Sequence, residues 1–157
     1  MSSSDIENII ETCDLFKGLS GVEIKRIAAI AHIETFEAGE AIFQQDEGDF
    51  GKLFYIIAEG HVFLERSVDL GPRKGKAIIS LLGKGRALGC WSSLLGESHS
   101  LMTSATCRNP VKIVAINGPS LRKMMVEDPK LGFKILERLC FILRERMQGV
   151  FGAMENI

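Results

Sequence analysis

The chain has no C-x-x-C pair, no close pair of histidines and no long apolar run, and each absence removes a class of protein. Its four cysteines, Cys13, Cys90, Cys107 and Cys140, are scattered singly. That excludes a zinc knuckle or a thioredoxin motif and suits a reducing cytoplasm. Cys13, alone in its region, cannot build a four-thiolate iron–sulfur centre. His32, His61 and His99 are far apart in sequence, whereas a cupin-type metal site begins from a His-x-His pair, so no metal is expected. No window approaches the roughly 20 apolar residues of a membrane span. The first residues carry neither a basic stretch nor an apolar core, so no signal peptide is expected. There is no nucleophile–base signature and no paired-carboxylate motif, and Gly83-Lys84-Gly85-Arg86 is too short and wrongly ordered for a Walker loop. An enzyme is therefore not expected. Charge names no partner either. With 19 basic and 20 acidic side chains the formal net charge is −1, which draws the chain as a whole neither to nucleic acid nor to an anionic membrane.

What is present describes an ordinary globular domain: 157 residues, 46% hydrophobic and 25% charged, enough to bury a core without disulfides or metal. Three textures follow one another. Residues 1–32 have helical periodicity. Ile6, Ile9, Ile10 and Cys13 share one face, Ser20-Gly21-Val22-Glu23 reads as a capping box, and Ile24, Ile27, Ala28 and Ala31 continue a second apolar face. Leu15-Phe16 and Leu19 fill the seam between these helices. Residues 33–117 are short apolar runs broken by glycine. Strands are expected at 41–43, 53–58, 61–64, 77–82, 101–107 and 111–116, and so many short strands point to a sandwich or jelly roll. The loop Asp69 to Gly75 reads as a basic hairpin tip. Its Arg73 and Lys74, with Lys76 beside them, either solubilise it or meet an acidic partner.

Residues 118–157 are helical again. Asn117 caps a short helix with Pro119 in its first turn, and Asp128-Pro129 repeats the start signal. Leu136, Cys140, Leu143, Met147, Val150 and Met154 then recur at heptad-like spacing. A helix of about 25 residues is about 37 Å long, more than the domain's own core needs. Its outer half is expected to meet a second copy in a homodimer. The alternative is a solitary amphipathic helix docked on its own roll.

Leu88-Gly89-Cys90-Trp91-Ser92-Ser93-Leu94-Leu95-Gly96 reads as a glycine turn followed by one helical turn, and Leu101 to Thr106 as the return strand. That geometry aims several backbone N–H groups at one point and suits an anion such as phosphate. The alternative is a structural turn without a ligand. Trp91 either stacks on a base or plugs the core. Cys90 is either an oxidant-sensitive thiol at a helix start or a small buried one.

Taken together, Leu15-Phe16-Lys17-Gly18-Leu19-Ser20, Ala38-Gly39-Glu40-Ala41-Ile42-Phe43, Glu47-Gly48-Asp49, Tyr55-Ile56-Ile57 and Gly60, in this order, resemble the cyclic-nucleotide-binding domain of catabolite-activator-type regulators. The resemblance implies a double-stranded β-helix, or β-roll, with N-terminal helices and a long C-terminal helix. It also implies a phosphate cassette opened by glycine and glutamate, the glutamate holding the ribose hydroxyl. Here Gly89 matches and Cys90 stands at the glutamate position. In the family an arginine before a Ser/Thr-Ala pair neutralises the cyclic phosphate. Here Ser104-Ala105 match and Thr103 stands at the arginine position. Each charge-assisted contact is worth roughly 1.5–3 kcal/mol, so losing both costs on the order of a hundredfold or more in affinity.

The residues expected at a ligand are Gly89, Cys90, Trp91, Ser92, Thr103 and Ser104. Arg86 and Arg108 could reach the phosphate by another route, and Arg146 and Met147 of the long helix would lie nearest a base. The expected function is a regulatory sensor for a cyclic nucleotide or another small anion, with weak or altered binding. The alternative is a ligand-free dimerisation scaffold of the same fold. In regulators of this type the long helix often leads into a winged helix-turn-helix. No stretch here matches one, and no DNA contact by these residues is expected.

Overall fold

A computed structural model of the chain describes residues 2–46, 53–89, 94 and 101–155. Helix α1 (Ser3–Glu11), a 3-10 turn (Asp14–Phe16) and helix α2 (Gly21–Ala28) come first. The capping box is present: Ser20 Oγ accepts from the Glu23 N–H at 3.2 Å, and Glu23 Oε1 accepts from the Ser20 N–H at 2.8 Å. The second helix ends sooner than its apolar spacing implies. Ala31 is not on its face but opens strand β1 (Ala31–Phe36), which pairs along its whole length with β8 (Val111–Asn117). Sheet pairing decides the matter, because Ala31 fits either period.

Between them lie β2 (Ala41–Phe43), β3 (Leu53–Glu59), β4 (Val62–Asp69), β5 (Lys74–Leu82), β6 (Ala87–Gly89) and β7 (Ser104–Cys107). The strand expected at 101–107 thus pairs only from Ser104. The β4–β5 hairpin runs on to Asp69 and Lys74, so its tip is only residues 70–73, closed by Leu70 N–H donating to the Arg73 carbonyl at 2.8 Å. The strands form two antiparallel four-stranded sheets, β1-β8-β3-β6 and β2-β7-β4-β5, and together they make the β-roll. Helix α3 (Gly118–Glu127) starts at Asn117, whose Oδ1 accepts from the Ser120 N–H at 2.9 Å. Helix α4 then runs for 27 residues, Pro129–Glu155.

The first sheet is buried on both faces, which is why β3 reads as an unbroken apolar run. Phe54, Ile56 and Ala58 pack outward with Ile10, Phe16, Ile27, Ile135 and Leu139 of the helical layer. Tyr55 and Ile57 point the other way, into the roll, against Leu64, Ala105, Cys107 and Ile113. Alternation along one strand therefore serves two cores.

Candidate ligand-binding site

Gly89 closes β6 opposite Phe54. Its φ is +128°, and a Cβ there would sit 2.8 Å from the Leu53 carbonyl oxygen, so only glycine lets the chain turn away at this point. Cys90, Trp91 and Ser92 lie outside the described residues, as does His99. The loop is gripped again at Leu94, which is fully buried among the helices and the first sheet. The Leu94 carbonyl accepts from Arg122 Nη1 of α3 at 2.7 Å. No local pattern marked Arg122 for this part, since 28 positions separate it from Leu94.

On the return strand, Ala105 and Cys107 face the roll interior. Ser104 alternates with them and faces the other side, where its Oγ accepts from the Gln45 N–H at 2.9 Å. It lines a polar groove of about 360 Å³ on the outer face of the second sheet with Glu65, Ser67, Lys76 and Thr106. The Ser104 hydroxyl is thus on the opposite face from the roll interior.

Arg86 is committed elsewhere. Its Nε donates to Asp14 at 2.9 Å and its Nη2 to Glu145 of α4 at 2.6 Å. Asp14 also accepts from the Ala87 N–H at 3.0 Å. Arg146 is brought to the same place: its Nη2 donates to the Ala87 carbonyl at 2.7 Å. Burial pulls the Arg146 pKa down to about 10, with nearby Asp14 opposing that shift, so the guanidinium stays charged at neutral pH. These two arginines therefore join α4, the 3-10 turn and the cassette strand two residues ahead of Gly89. Arg108 follows the far end of β7, where its N–H donates to the His61 carbonyl at 2.9 Å. Met147 is on the outer side of α4 and 58% exposed.

Two histidines have structural partners. His32 pairs with Glu34 at 2.8 Å, and the His61 N–H donates to Asn109 at 2.8 Å. Cys13 is buried and Cys140 exposed; burial pushes the Cys13 and Cys107 thiols above their ordinary range. Of the heptad-like positions on α4, Leu143 and Val150 pack against the chain's own two cores. Leu136, Cys140, Met147 and Met154 are exposed. No helix among the described residues is long and apolar enough to cross a membrane.

Residues 33–128 match the cyclic nucleotide-binding domain family, and the chain belongs to that family. The fold matches a cyclic nucleotide-binding domain from Methylobacillus flagellatus at a TM-score of 0.75, with 21% identity over 99% of this chain and 82% of that one. Against the Thermus thermophilus catabolite activator protein the TM-score is 0.69, with 25% identity over 90% of this chain and 62% of that one. Against a regulatory subunit of a cAMP-independent protein kinase A from Trypanosoma brucei it is 0.71, with 21% identity over 89% of this chain and 46% of that one. That last structure is of a triple variant bound to cAMP in its A site, and one of its changes puts arginine in place of threonine. The chain spans less than two thirds of several of the solved chains it matches.

Proposed function

We propose that the chain is a regulatory sensor domain that takes a small anionic ligand of the nucleotide class, between the segment after Gly89 and helix α4. The observation that carries this reading is Gly89. A left-handed glycine with no room for a side chain ends β6, at the position where the resemblance expects the cassette to open, and Arg146 ties that strand to α4. A ligand that favours one arrangement of cassette and helix would bias the helix by its difference in affinity between the two arrangements. Cyclic AMP is expected to bind weakly, because Cys90 and Thr103 stand at the positions where the family has glutamate and arginine. The domain is further proposed to act as a homodimer through the exposed side of α4, in a cytoplasmic setting.

Calorimetric titration with cyclic AMP and cyclic GMP, to millimolar concentration, tests the ligand. Weak saturable binding that rises about a hundredfold or more in the C90E/T103R variant supports the reading. Silence of both proteins overturns it. That outcome would favour a second reading, a ligand-free dimerisation scaffold, which draws support from the internal commitment of Arg86 to Asp14 and Glu145.

A further inference from the structure

We infer that Arg66 of β4 supplies the positive charge of the anion site, from the strand beside β7, whose first residue Thr103 immediately precedes; this rests on the proposed reading of the roll as a ligand-binding domain. The argument is one of register. In the ladder between β4 and β7, Leu64 pairs with Ala105 and Glu65 with Ser104. Carried one step beyond that last pair, the same register sets Arg66 opposite Thr103. Directly opposed residues of an antiparallel pair share a face, and faces alternate with period two. Leu64 and Ala105 are buried in the roll interior, so Arg66 and Thr103 continue that face to its open end, where Arg66 is exposed. The other neighbour agrees: Arg66 pairs with Ala77 of β5, itself part of the interior core.

Ala77, Arg66 and Thr103 thus form one row across the inner face of the second sheet. The Arg66 guanidinium reaches along that row and donates from Nη1 to the Met102 carbonyl, beside Thr103. Among the described residues no carboxylate forms an ion pair with it. A guanidinium has five N–H donors in a planar fork, and that fork suits a phosphate or carboxylate held two-pronged. The other guanidiniums are neutralised, built into the helical layer or remote: Arg86 is held by Asp14 and Glu145, Arg122 and Arg146 tie helices α3 and α4 to Leu94 and Ala87, and Arg108 lies past the opposite end of β7. A threonine at 103 is then the small neighbour that leaves the cross-strand arginine room.

The test has two arms on the folded chain. In the first, cyclic AMP and cyclic GMP are titrated by calorimetry into wild type, R66Q, R66K and R66Q/T103R. The expected result is a loss of about tenfold or more in R66Q, a smaller loss in R66K, and recovery in R66Q/T103R, which moves the charge one strand along the same row. In the second, the Arg66 Nε–H resonance is followed in an NMR spectrum as inorganic phosphate is added, with a saturable shift expected. Equal nucleotide affinity in wild type and R66Q overturns the role of Arg66 and leaves the ligand reading standing. Nucleotide silence with a saturable phosphate shift at Arg66 overturns the nucleotide reading and supports the anion contact. Silence in both arms overturns both.

Discussion

Arg146 of α4 donates to the carbonyl oxygen of Ala87, an edge-strand residue whose other side pairs with Ile56. The bond closes an open sheet edge and fastens the long helix to the strand that leads into Gly89. Its removal is expected to loosen both together. Arg146→Met keeps an apolar stem but no donor, and it should cost about 1–3 kcal/mol by leaving a buried carbonyl unpaired. Thermal unfolding measures the cost. Hydrogen exchange at Leu88 and Gly89 should accelerate in the same variant; unchanged exchange there would show that the tie does not hold the cassette strand.

Two glycines of α4 should respond to alanine with opposite signs. A Cβ at Gly149 would lie 2.5 Å from the Ile79 carbonyl oxygen, whereas nothing stands within 4 Å of one at Gly152. Alanine is the better helix former by about 1 kcal/mol, but at 149 the helix would have to lift off β5, a strain of about 1–3 kcal/mol. Chemical denaturation should find G149A destabilised and G152A neutral or more stable.

The exposed side of α4 carries Phe133, Leu136, Met147, Phe151 and Met154. Their spacings, 3 or 4 residues except for the 11 between Leu136 and Met147, are close to whole helical turns and lay them in one stripe along the helix. If that stripe meets a second copy, Met147→Asp and Phe151→Asp should convert dimer to soluble monomer in analytical ultracentrifugation. A dimer of unchanged strength in the double variant would place the contact elsewhere. Leu143 and Val150 are the wrong positions for this test, because they pack inside the chain's own cores.

Acid should weaken the helical layer. The Ser20 N–H, followed by Lys134, holds the Glu23 carboxyl below its ordinary range, and the Leu131 N–H, followed by Arg26, does the same for Asp128. Both groups bind fewer protons folded than unfolded, so their contribution is present above the unfolded value of about 4 and fades as pH drops through the lower folded value. The melting temperature should fall between pH 5 and pH 3. In E23Q it should start lower at pH 7 and fall less over that range.

Much of the architecture was legible locally. Ser20 and Glu23, Asn117 and Pro119, and the apolar runs of β3 and β8 announce their elements, because caps and periodicity act within a turn or two of chain. Two strands were not legible. β1 alternates His32 and Glu34 with Ile33 so soon after α2 that it passes for a helix end, and β6 is three residues long. The site was half legible. Gly89 and Thr103 stood out through the family resemblance. Arg86 looked like a phosphate ligand until Asp14, 72 positions away, was found against it.

Composition, caps and hydrophobic spacing by themselves determined a helix–roll–helix chain with a glycine turn and no arginine at 103. Only the tertiary structure decided which arginines are spoken for, that Ser104 faces outward, and that Arg66 shares a row with Ala77. The physical reason is that ion pairs and sheet register join residues distant along the chain. No local preference encodes such a pairing; it exists once the two sheets have closed.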